Sequence, residues 1–128
     1  MKTILIVDDN NLNLVAAKMS LASDYKVVAV ASGEQALAFL ETNPCDLVLT
    51  DIEMPEMDGF ELLKEIRQMD LNPAFPVVFL TASADPETLI RCMEEGAVEI
   101  VEKPFVKQVL LNRVNHLMEL MDYRTGKK

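Results

Sequence analysis

Five short apolar runs alternate along this chain with five longer stretches of helical periodicity, and that alternation leaves few folds open. The runs read as strands over Thr3 to Asp8, Lys26 to Ala31, Asp46 to Asp51, Val77 to Leu80 and Glu99 to Val101. Four of them are continuously apolar rather than alternating, the pattern of a strand covered by helices on both faces. The helical stretches run roughly from Leu12 to Ser23, Gly33 to Thr42, Phe60 to Met69, Pro86 to Glu95 and Val106 to Met121. Start signals agree with several of them. Ser32 can cap the second helix with Gln35 near the reciprocal position, Asp58 precedes the third, and Asp85-Pro86 sets a cap and a first-turn proline at the fourth. Asn72 to Pro76 and Gly96 act as breaks. A strand-helix unit repeated five times implies an α/β fold: a five-stranded parallel sheet, doubly wound, with five helices on its two faces.

Size and charge narrow the function classes. At 128 residues the chain is long enough to bury one substantial core, expected over residues 1–122 with a polar tail at 123–128 that frays. The formal net charge of −9 is the reverse of a nucleic-acid footprint, so direct DNA or RNA binding is not expected. Cys45 and Cys92 show no metal-ligand spacing and read as small buried hydrophobes in a reducing compartment. Met1-Lys2-Thr3 leads straight into a strand too short to be a signal core or a membrane span, so a cytoplasmic protein is expected.

In an open parallel sheet, ligand chemistry gathers beyond the C-terminal ends of the strands. Asp8 and Asp9 end the first strand, Asp51 the third, Thr81 follows the fourth and Lys103 the fifth. Each alone would be an ordinary cap, a strand-end hydroxyl or a surface lysine. Together they form a set that suits phosphoryl chemistry. A small divalent cation such as Mg²⁺ takes about six oxygen ligands, including carboxylates, and Asp8, Asp9 and Asp51 can supply the charge. Asp51 is then free to act as a carboxylate nucleophile toward phosphorus. Lys103 and Thr81 can hold the remaining phosphoryl oxygens, because such transfers depend mainly on positioning and electrostatics.

Four segments carry a specific likeness: Ile6-Val7-Asp8-Asp9-Asn10, Leu49-Thr50-Asp51-Ile52-Glu53-Met54-Pro55-Glu56-Met57-Asp58-Gly59, Thr81-Ala82 and Glu102-Lys103-Pro104-Phe105. In order and spacing they resemble the receiver domains of two-component response regulators, over nearly the whole chain. The resemblance implies a flavodoxin-like strand order 2-1-3-4-5, for which a chemotaxis regulator is the reference case. It further implies that Asp51 accepts a phosphoryl group from a histidine kinase or a histidine phosphotransfer protein. Asp8, Asp9, Asp51 and the Glu53 main-chain carbonyl would hold Mg²⁺, Lys103 would pair with the phosphoryl group, Thr81 would move toward it, and the Lys103–Pro104 bond would be cis. Activity would be limited to the domain's own phosphorylation and dephosphorylation, read out by a downstream protein or an output domain.

Two features depart from or extend that pattern. Receiver domains usually carry Tyr or Phe three residues before the lysine, and here the position is Ile100. An aliphatic side chain has no polar tip to turn inward, so the switch is expected to rest on Thr81 and on movement of the fourth helix and its loop. The Glu53 side chain, two residues after the nucleophile, is placed to influence the approach of water or phosphodonor. The last helix spreads apolar residues over about 200°, wider than the stripe a surface helix needs. The resemblance to receiver domains implies a common dimer or output surface on the fourth helix, fifth strand and fifth helix, which makes Leu111 and Met118 candidate contacts for a homodimer or an output partner. His116, the lone histidine, lies on that helix and reads as a surface residue. Gly59 is expected to serve a backbone conformation that a side chain would hinder.

Two other classes fit the sequence less well. A Mg²⁺-dependent phosphohydrolase with an aspartyl nucleophile carries a DxD motif after its first strand and a cap insertion. This chain has adjacent Asp8-Asp9 and its best nucleophile after the third strand. A flavin-binding domain would need a phosphate-cradling loop where those two aspartates repel an anion.

Overall fold

The structure, a computed structural model, describes residues 1–71 and 75–125. The elements follow in strict alternation: β1 (Thr3–Val7), α1 (Asn11–Leu21), β2 (Lys26–Val30), α2 (Gly33–Thr42), β3 (Leu47–Asp51), α3 (Gly59–Gln68), β4 (Val77–Thr81), α4 (Pro86–Glu95), β5 (Glu99–Glu102) and α5 (Lys107–Thr125). All strand pairs are parallel and the sheet order is β2-β1-β3-β4-β5. The doubly wound, flavodoxin-like arrangement with five helices is the one expected.

Alternation of side chains along the strands divides the core in two. Ile4, Ile6, Leu47, Leu49, Val78 and Leu80 face α1 and α5, where Leu14, Ala17, Leu21, Leu110 and Val114 meet them. Leu5, Val7, Val48, Val77 and Phe79 face the opposite side, covered by Ala36 and Leu40 of α2, Leu62, Leu63 and Ile66 of α3, and Cys92 of α4. β3 and β4 are buried throughout, as continuously apolar strands should be. β2 is not: Lys26 is exposed and Val27 to Val30 are only half-buried, because an edge strand has a neighbour on one side alone.

The caps match their signals. Ser32 accepts the Gln35 N–H while the Gln35 side chain accepts from the Ala31 N–H, one residue before the cap. Asp58 and Glu61 form a reciprocal capping box at α3, and Asp85 accepts the Thr88 N–H at α4. Gly96 ends α4 in the left-handed region at φ 93°, and part of the expected break at Asn72 to Pro76 lies outside the described residues. Asp58→Ala should lower stability by about 1 kcal/mol, the usual worth of an N-cap. A fall in the urea midpoint at unchanged slope would show it, and an unchanged midpoint would refute it.

Two expectations need correction. Met118 is 4% exposed and packs in the core, and Leu111 is half-buried against it, so Met118 is not a free contact for a partner. The wide apolar arc of α5 is used by two neighbours at once, the sheet and α1, rather than by one. The apolar surface that α5 leaves exposed includes Val109 and Leu120 instead. Tyr123 to Thr125, expected in a tail, continue α5, since neither Gly nor Pro interrupts the helix before Gly126. His116 is exposed on α5, away from the strand ends.

Candidate functional site

Strand register brings the acidic residues together. Val7 pairs with Thr50, so Asp8 and Asp51 leave their strands side by side, and Asp51 itself pairs with Leu80. Thr81 pairs with Glu102, which places Lys103 one step beyond on the neighbouring strand. Chain separations of more than forty residues thus collapse into one cluster at the sheet's C-terminal edge.

Asp8 is fully buried and Asp51 nearly so, whereas Asp9 is exposed. One carboxylate oxygen from each lies within 4.8 Å of the others. Lys103 Nζ sits 3.2 Å from Asp8 Oδ2 and 3.3 Å from Asp51 Oδ1. The other Asp8 oxygen accepts the Asn10 N–H at 2.9 Å. A single ammonium thus serves two buried carboxylates. Burial pushes the Asp51 carboxyl above its ordinary range, and the nearby Asp8 carboxylate pushes it further; the Lys103 charge and hydrogen bond, with the Glu53 backbone, pull it back.

Three oxygen donors this close suit a small hard cation. Ligands on opposite sides of a Mg²⁺ ion stand about 4.2 Å apart, and three oxygens all within 4.8 Å of one another are compatible with that spacing. Two carboxylates with one lysine between them leave negative charge uncompensated, which a cation at Asp8, Asp9 and Asp51 would balance. The donor set fits.

The remaining predicted residues surround this centre. Thr81 is buried, and its hydroxyl both donates to the Ser83 carbonyl at 2.9 Å and accepts the Ser83 N–H at 3.0 Å. The Lys103 N–H donates to the Thr81 carbonyl at 2.7 Å, and the Lys103–Pro104 peptide is cis. The Glu53 side chain is exposed and lines a cavity of about 670 Å³ with Pro55, Thr81, Thr88 and Arg91. Ile100 is half-buried on the Phe79 side of the sheet, with which it pairs. Gly59 is constrained differently from the expectation: its φ is not left-handed, but a Cβ there would stand 2.5 Å from the Asp51 carbonyl oxygen. Close approach, not conformation, demands the glycine.

Sequence reasoning missed two features. Ser83 holds the Thr81 hydroxyl, and the Arg91 guanidinium lies over the Phe60 ring at 4.0 Å, with Phe60 edge-on to Phe79. Asp85 was legible as a cap, but nothing in a lone serine or arginine announced a partner across a loop or between helices.

The sequence pattern of the response regulator receiver domain matches residues 4–115. The chain belongs to that family. This receiver domain is 42% identical over 113 residues to a probable cyclic di-GMP phosphodiesterase of Vibrio cholerae, a match covering 88% of the chain and 26% of that protein. It is 38% identical over 103 residues to the rice two-component response regulator ORR11, covering 79% of the chain and 70% of the relative. Among solved structures, the Vibrio cholerae chemotaxis protein CheY4 superposes with a TM-score of 0.86 at 30% identity, covering 91% of the chain and 98% of CheY4. A CheY-like receiver domain protein of Methanospirillum hungatei gives 0.88 at 29% identity, covering 97% and 98%. The receiver domain therefore spans about a quarter of the first relative's length and nearly all of each solved chain. Members of the family serve as signalling phosphoacceptors, and in this chain the acidic cluster stands at the C-terminal edge of the sheet. Among the described residues, no helix of the receiver domain is long and apolar enough to cross a membrane.

Proposed function

We propose that Asp51 is the phosphoacceptor, phosphorylated in a Mg²⁺-dependent reaction by a histidine kinase or a histidine phosphotransfer protein. The observation that carries this reading is the buried Asp51 carboxylate beside Asp8, Asp9 and the shared Lys103 ammonium. An Asp51 oxygen attacks phosphorus, an O–P bond forms, and the N–P bond of the donor phosphohistidine breaks. The electron pair leaves on the imidazole nitrogen, which takes up a proton. Lys103 stays with the transferred group as a point charge, and the Thr81 hydroxyl turns from Ser83 to donate to a phosphoryl oxygen. Asp8, Asp9, Asp51 and the Glu53 main-chain carbonyl would hold the cation. When bound, it offsets repulsion between carboxylate and phosphoryl charge.

The phosphoryl group then shifts a conformational population and alters binding to a downstream protein or an attached output domain. The partner surface proposed is the α4–β5–α5 face, where Ile90, Met93, Val106 and Val109 are exposed; a homodimer would use the same face, with Leu111 of α5 half-buried and Met118 buried. We place this signalling module in the cytoplasm, where histidine kinases present their phosphohistidine.

Incubation with a small labelled phosphodonor should give Mg²⁺-dependent label that hydroxylamine removes, as it does from an acyl phosphate, and that maps to Asp51. Label that forms equally in a chelator, resists hydroxylamine or maps elsewhere would overturn the assignment.

A further inference from the structure

We propose that Arg91 is a specificity-determining residue for the phosphodonor: its guanidinium receives the carboxylate that an acyl phosphate releases when Asp51 takes the phosphoryl group. The proposal rests on the reading of Asp51 as phosphoacceptor. Its ground is the cavity of about 670 Å³ between the loop after β3 and α4. Ile52 and Glu53, the two residues after Asp51, line it, and so does buried Thr81, one step beyond Leu80, the strand partner of Asp51. Thr88 and Arg91 of α4 and Phe60 of α3 complete the far side. In a displacement at phosphorus the leaving group departs away from the attacking oxygen. Lys103 Nζ at 3.3 Å and the Asp8 and Asp9 carboxylates take up one side of Asp51. The cavity is the space that begins at the adjoining residues, and it is roomy enough for a small acyl group.

Charge singles out Arg91. Glu53, Asp58 and Glu87 also line the cavity, and Arg91 is the one basic side chain among the described residues that do. Those carboxylates repel an anionic leaving group, so its release needs a compensating charge. Lys103 is already committed to Asp8 and Asp51. The Arg91 guanidinium lies over the Phe60 ring at 4.0 Å, and Phe60 stands edge-on to Phe79 with ring centroids 5.1 Å apart. Phe79 is fully buried and Phe60 nearly so, whereas Arg91 is exposed. The platform is thus fixed in the core while the charge faces outward. A guanidinium held over a ring keeps its N–H edge for a carboxylate, which it can bind through two parallel hydrogen bonds.

The step balances without an added proton. An Asp51 oxygen attacks phosphorus, an O–P bond forms, and the bond from phosphorus to the bridging acyl oxygen breaks. The electron pair leaves on that oxygen, which departs as a carboxylate. Its charge grows as the bond lengthens, so Arg91 holds the transition state more tightly than the intact donor. A phosphoramidate instead releases neutral ammonia from its protonated nitrogen, and that leaving group offers the guanidinium no charge to pair with.

Rates of Asp51 phosphorylation by acetyl phosphate and by phosphoramidate, each with Mg²⁺ and followed by intact mass after acid quench, test the assignment. Arg91→Gln should slow the acetyl phosphate reaction about tenfold, less than the loss of an enclosed oxyanion donor because Arg91 is exposed, and should leave the phosphoramidate rate within about twofold. Arg91→Lys keeps the charge and loses the fork, so its acetyl phosphate rate should fall between those of Arg91→Gln and wild type. Equal slowing with both donors would mark a general disturbance of the site and overturn the proposal, as would an unchanged acetyl phosphate rate in Arg91→Gln. Wild type that gains no phosphoryl group from either donor would instead overturn the Asp51 reading, and the role of Arg91 with it.

Discussion

Replacing Asp51 by asparagine should abolish the phosphoryl label and, in the same protein, raise thermal stability at neutral pH in the absence of Mg²⁺. Loss of label follows from loss of the nucleophilic oxygen charge. The gain in stability follows from the crowding of carboxylates. Burial and the Asp8 charge raise the Asp51 carboxyl above the ordinary aspartate value of 3.8. For an acid whose folded-state pKa lies above its unfolded one, ionisation costs more in the folded state. That cost is absent below the unfolded value, grows as pH rises through the folded one, and is fully present at neutral pH. Asparagine removes it, and Lys103 keeps Asp8 as a partner at 3.2 Å. Relieving one such contact is worth on the order of 1 kcal/mol, or about 4 °C in midpoint for a domain of this size. The difference should shrink as pH falls toward 3.8 and also as Mg²⁺ is added, because the cation stabilises wild type by mass action. Thermal melts with chelator and with Mg²⁺, at neutral and acid pH, check each part. A variant less stable than wild type at neutral pH in chelator would refute the charge argument, and label retained in the variant would refute the chemistry.

Much of this architecture could be read before the coordinates, and the reasons are local. Continuous apolar runs such as Leu47-Val48-Leu49 can satisfy both faces of a strand only in a sheet covered twice, so the fold class followed from pattern, whereas the strand order followed from the resemblance to receiver domains. Asp58 and Asp85 announced their helices because a cap needs only its own next turn. Asp8, Asp51, Thr81 and Lys103 could be grouped because each ends a strand, and strand ends of a parallel sheet share one edge. What stayed hidden depends on neighbours rather than on spacing. The burial of Met118 follows from α1 lying against α5, which the periodicity of α5 alone cannot reveal. The Arg91–Phe60 stack joins two helices, and the Thr81–Ser83 pair depends on the loop's path after β4.

Gly59→Ala should be among the most damaging of small substitutions in this protein, and comparison with Gly33→Ala shows why. Both glycines start a helix, so propensity and cap position are alike. At Gly33 an added Cβ would meet Met57 Sδ at 2.6 Å and Cγ at 3.0 Å, the far end of an unbranched side chain that can swing aside. At Gly59 it would meet the Asp51 carbonyl oxygen at 2.5 Å and Ile52 Cα at 2.9 Å, both backbone atoms. The Gly59 N–H also donates to the Ile52 carbonyl at 2.7 Å, so α3 cannot back away without breaking that bond. Something has to shift at the strand end that carries Asp51, the proposed phosphoacceptor. Overpacking of this kind costs roughly 1–3 kcal/mol, and the rigid partners put Gly59→Ala at the upper end, whereas Gly33→Ala should stay within about 1 kcal/mol of wild type. Because the strain falls on Asp51, Gly59→Ala should also take up phosphoryl label at least tenfold more slowly, a loss that Gly33→Ala should not share. Urea midpoints and labelling rates for the two variants decide the matter: equal midpoints would show that the Asp51 backbone yields as easily as a methionine side chain, and equal labelling rates would show that its position does not govern the transfer.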